Sequence, residues 1–67
     1  MITIEMLMSE DHLNRAKTLF PSLEYASIEM LRKLVFEMQQ MELSEHMQLK
    51  YEYAYSLLTV RIGTKKR

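Results

Sequence analysis

The chain has no cysteine, so no disulfide can staple it and no thiolate can hold a metal ion. Glycine and proline occur once each, as Gly63 and Pro21. That leaves no material for a glycine-rich phosphate loop or a strained nucleophile elbow. It also argues against a disordered tail, which would be poor in apolar residues and rich in proline. Charge of one sign is missing too: nine Lys and Arg balance nine Asp and Glu. With no global field, the chain has nothing to draw nucleic acid or an anionic membrane towards it at long range. No apolar run approaches the roughly 18 residues of a membrane-spanning helix. The N-terminus lacks the basic region and long apolar block of a signal peptide, so the expected compartment is the cytoplasm.

What remains is rich in helix formers. Leu, Met, Glu, Gln, Lys and Ala dominate a chain that is 48% hydrophobic. At 67 residues a single small domain, 1–67, is expected. A core this small is rarely sufficient without near-ideal helix packing, a disulfide, a metal or a partner chain; helix packing and self-association remain, and a two-faced helix favours self-association.

Residues 1–8, MITIEMLM, read two ways. Alternation of Ile2, Ile4, Met6 and Met8 fits a short strand, but nothing else in the chain reads as β and could pair with it. The same residues also fit a frayed or helical arm. A first helix is expected over 9–20, with Ser9 as N-cap and Glu10 and Asp11 in the first turn. Pro21 disfavours helical geometry at Phe20 and ends it. A second helix is expected over 22–42, capped by Ser22, with Ser27 an alternative start. Its apolar face holds Ile28, Met30, Leu31, Leu34, Val35, Met38 and Met41, while Phe36 points away, in line with Tyr25.

Ser44 is the best cap signal before a third helix, 44–62, closed by Gly63 in a left-handed C′ position and followed by a basic tail, 63–67. A short turn near Leu43 implies an antiparallel hairpin. The competing reading is one continuous helix from 23 to 62, about 60 Å long. At about 100° per residue, Met47, Tyr51, Ala54, Tyr55, Leu58 and Ile62 share one face of the third helix. They are expected to pack on the second helix. Leu49, Tyr53, Leu57 and Val60 form a nearly opposite face that only the short first helix could cover. That leftover face is expected to be an association surface.

No stretch spells out a chemistry. His12 and His46 lie among acidic residues, but only Glu42 and His46 have helical ligand spacing, so neither metal nor cofactor is expected. Ser9, Ser22, Ser27 and Ser44 are accounted for as caps or by small size, and with no nucleophile elbow the chain is not expected to be an enzyme. Basic clusters exist at Arg32 with Lys33, and at Arg61 with Lys65, Lys66 and Arg67; Tyr25 and Phe36 could add stacking surface.

The sequence therefore points to an all-α protein: a short N-terminal helix plus an antiparallel helical hairpin, paired into a four-helix-bundle-type homodimer. Its expected function is that of a small non-enzymatic regulator or adaptor, binding another protein through Leu49, Tyr53, Leu57, Val60, Tyr25 and Phe36. The alternative is a nucleic-acid-binding dimer using Arg32, Lys33 and the C-terminal basic groups.

Overall fold

A computed structural model describes residues 2–65, with side chains described as far as residue 63. All regular secondary structure among the described residues is helical, with no strand. Two 3-10 turns, Ile4–Met6 and Pro21–Tyr25, punctuate three α-helices: α1 (Glu10–Leu19), α2 (Ile28–Gln39) and α3 (Glu45–Lys65).

The arm is not a strand. Thr3 is extended, and the turn that follows closes with Met6 N–H donating to the Thr3 carbonyl at 3.0 Å. Its purpose is burial. Met8 is 4% exposed, and half-buried Ile4 packs beside it on the core.

Ser9 starts α1 by accepting the His12 N–H at 3.3 Å, and Leu13 and Ala16 supply its buried side. Phe20 leaves helical geometry before Pro21, whose ring fixes the backbone for the 3-10 turn that follows. The second helix then begins later than the expected 22–42. Ser22 caps nothing; Ala26 and Ser27 are extended, and Ser27 Oγ accepts the Met30 N–H at 3.1 Å. The physical reason lies on α3. The Arg61 guanidinium donates to the carbonyls of Ala26 and Glu24, groups that the end of a short helical turn leaves without internal partners. This break also lets Leu23 turn into the core.

In α2, Leu31, Val35 and Met38 are buried. Met30 and Met41, expected on that face, are exposed instead: Met30 sits at the edge of the apolar arc and Met41 lies beyond the helix end. The helix stops at Gln39, short of the expected residue 42. Ser44 then starts α3 by accepting the Met47 N–H at 3.3 Å, and the Gln48 side-chain amide donates to the Leu43 carbonyl. The two helices are thus separate elements rather than one continuous rod. They pack side by side, with Gln39 Nε2 donating to the Tyr51 hydroxyl and Arg61 reaching Ala26.

Two expectations about α3 fail. Gly63 does not end it; the helix runs on to Lys65 and Gly63 has no positive φ. A Cβ there would meet the Ile2 Cδ1 at 3.7 Å, an ordinary contact. The division between its two apolar faces also differs from expectation: both reach the core, with Ala54 buried and Tyr51 and Leu58 packed against it on the face expected to meet α2. Leu49 and Tyr53 are buried, and Leu57 and Val60 half-buried, whereas Tyr55 and Ile62 are exposed. The Tyr53 face is covered because α1 does not cover it alone: Met8 from the arm and Leu23 from the second 3-10 turn extend the same apolar wall. Ala54, 0% exposed and on the other face, belongs to the core too, small enough for close approach.

Candidate interaction surfaces

The outer side of α3 carries Gln48, Glu52, Tyr55 and Thr59 at successive three- and four-residue steps, so they form one stripe along the helix. Beside this stripe lies an open groove of about 1000 Å³. Leu7 from the arm, Met38 and Gln39 from the end of α2, and Met41 and Leu43 from the connection form its other wall. Leu7, Met41 and Tyr55 are large apolar side chains exposed there, at 41%, 56% and 50%. The Tyr51 and Tyr55 rings lie 5.9 Å apart at 51°, a tilted pair that holds both phenols on the groove. Its one ionised lining residue is Glu52, whose carboxylate is 3.3 Å from His12 Nδ1.

A second groove, about 460 Å³, runs between the end of α1 and the outer side of α2. Leu19, Phe20, Leu23, Met30 and Leu34 make its apolar lining. Lys33, Glu37 and Lys50 stand among them, with Lys50 Nζ 5.8 Å from the centre of the Phe20 ring. Phe20 also meets the His46 ring, with centroids 5.0 Å apart. A third hollow, between α1 and α3, brings His12 and His46 near Glu45 and Glu52. Among the described residues no three His, Cys, Asp or Glu side chains gather so as to hold a metal ion.

Leu49 and Tyr53, placed by the sequence on an association surface, are inside the molecule, with Leu57 packed against the same core. Burial pushes the Tyr53 phenol above its ordinary pKa; the Glu24 carboxylate and Tyr25 add to this, and Arg61 opposes it. Tyr25 and Phe36 are exposed, at 84% and 64%, as are Arg32 and Lys33. Arg61 is not a free cation for a phosphate, because its guanidinium is occupied by the Glu24 and Ala26 carbonyls. Lys66 and Arg67, and the Lys65 side chain, lie outside the described residues.

Sequence reasoning missed the groove at Tyr55 and Met41. The signal was present: a helix face that interleaves Tyr with Gln48, Glu52 and Thr59 is the one facing water. No protein-family model, curated protein or solved structure matches the chain. Among the described residues no helix is long and apolar enough to cross a membrane.

Proposed function

We propose that this protein is a small, non-enzymatic cytoplasmic regulator or adaptor that pairs with a second copy of itself and binds another protein. In this reading α2 and α3 form an antiparallel hairpin, and two hairpins pair through the groove at Tyr51 and Tyr55 into a four-helix bundle. Antiparallel order is supported by the contacts at both ends, Gln39 with Tyr51 near the connection and Ala26 with Arg61 far from it.

The observation that carries the pairing is the exposed trio Leu7, Met41 and Tyr55 around an open groove of about 1000 Å³. An isologous interface sets each side chain near its own copy, so a charged face repels itself and a nearly neutral one does not. Here the single carboxylate, Glu52, already has His12 beside it.

Sedimentation at micromolar concentration tests the pairing: a dimer is expected, and Tyr55→Asp should return it to monomer with its helix content intact. A wild-type chain that stays monomeric sinks the reading. The second reading, a nucleic-acid-binding dimer, rests on exposed Arg32 and Lys33 within one turn of exposed Phe36. It predicts affinity for single-stranded RNA that falls steeply with salt.

A further inference from the structure

The groove between α1 and α2 differs from the one at Tyr55 in its charge. Lys33 and Lys50 flank its apolar floor against a single carboxylate, Glu37. Among the described residues neither lysine makes an ion pair, the one such contact being His12 with Glu52. A second copy would bring lysine against lysine here, so self-pairing is disfavoured where the Tyr55 groove favours it.

We infer that this groove receives an acidic amphipathic helix of a partner protein, its apolar side chains seated between Leu19, Leu23, Met30 and Leu34 and its carboxylates on Lys33 and Lys50. The backbone around the groove is helical or turn, with no sheet edge to which an extended peptide could add as a strand. A polyproline ligand needs an aromatic trough, and Phe20 is the sole aromatic lining residue, already engaged by His46. That leaves helix-in-groove recognition, with apolar anchors spaced by three and four residues. Met30, 65% exposed and unbranched, can adapt to the anchor it meets, and the ammonium groups select against basic competitors. The inference rests on the adaptor reading but uses a different face from the pairing groove.

The test is selection of random peptides of roughly 16 residues, long enough for about four helical turns, against the full chain. Enriched sequences should be amphipathic and richer in Asp and Glu than in Lys and Arg. Binding of the best peptide, measured by fluorescence anisotropy, should weaken about ten-fold or more in Lys33→Glu/Lys50→Glu. Met30→Glu, at an exposed position, should weaken it as well, with circular dichroism unchanged. Tyr55→Asp should leave it within about two-fold, because the pairing groove is separate. No enriched peptide, a basic or uncharged consensus, or loss of binding in Tyr55→Asp alone would each overturn the assignment. So would single-stranded RNA displacing the peptide from wild type but not from Lys33→Glu/Lys50→Glu. A monomeric wild type that still binds acidic peptides would remove the pairing and keep this site.

Discussion

Arg61 is the side chain on which the join between α1 and α2 depends. Its planar fork reaches two carbonyls, Glu24 and Ala26, that bound the extended stretch before Ser27. Replacing it with alanine leaves both without a charged donor, and Arg61→Ala should lower stability by about 2 kcal/mol in a denaturant titration. Arg61→Lys should recover less than half of that, since a single ammonium cannot span both acceptors in the same geometry. Tyr53, 1% exposed, gives a pH signature. Its folded-state pKa is raised, so the folded state holds the phenol proton more tightly than the unfolded chain, where it titrates near about pH 10. The stabilising contribution is therefore complete below that pH and is lost as pH rises through the folded value. Melting curves of wild type should fall on the alkaline side, and those of Tyr53→Phe should fall less steeply. At residue scale the sequence identified Phe36 correctly as exposed. Arg61 looked like one more surface cation, because nothing within its own helix reveals carbonyls more than 30 positions away.

At the scale of elements, capping chemistry was the reliable guide. Ser9, Ser27 and Ser44 each accept a backbone N–H three residues on, a local geometry that depends on neighbours in sequence. Ser22 and Ser27 were both eligible, and Ser27 starts α2 because Leu23 and Arg61 hold the segment before it in another conformation. Ser27→Ala should cost about 1 kcal/mol while Ser22→Ala costs little, measured as paired thermal melts. The end of α3 misled for the opposite reason. A glycine near a helix end favours termination only when the chain turns away there, and Gly63 instead remains helical. Gly63→Ala should raise stability by about 0.5 kcal/mol, since the new methyl group meets Ile2 at ordinary distance and the unfolded chain loses freedom.

For the whole molecule, the governing question is which faces stay wet. Leu57 packs on the core and Tyr55 does not, although they stand two residues apart. Leu57→Asp should therefore unfold the chain at any concentration, because a carboxylate would be forced against apolar walls. Tyr55→Asp should act only on association, removing the concentration dependence of the melting temperature that a dimer carries.

The sequence by itself determined the helical class, the three α-helices in outline and the caps at Ser9 and Ser44, because periodicity, side-chain capping and the effect of proline act over a few residues. It also revealed that α3 is apolar on two sides. Which side chains of each side are buried was decided only by tertiary structure. The choice depends on the summed area of every segment that can cover a face, and Met8 and Leu23 were decisive contributors from stretches with no strong pattern of their own. Their burial places Leu49 and Tyr53 inside and leaves Tyr51, Tyr55 and Met41 to line the open groove.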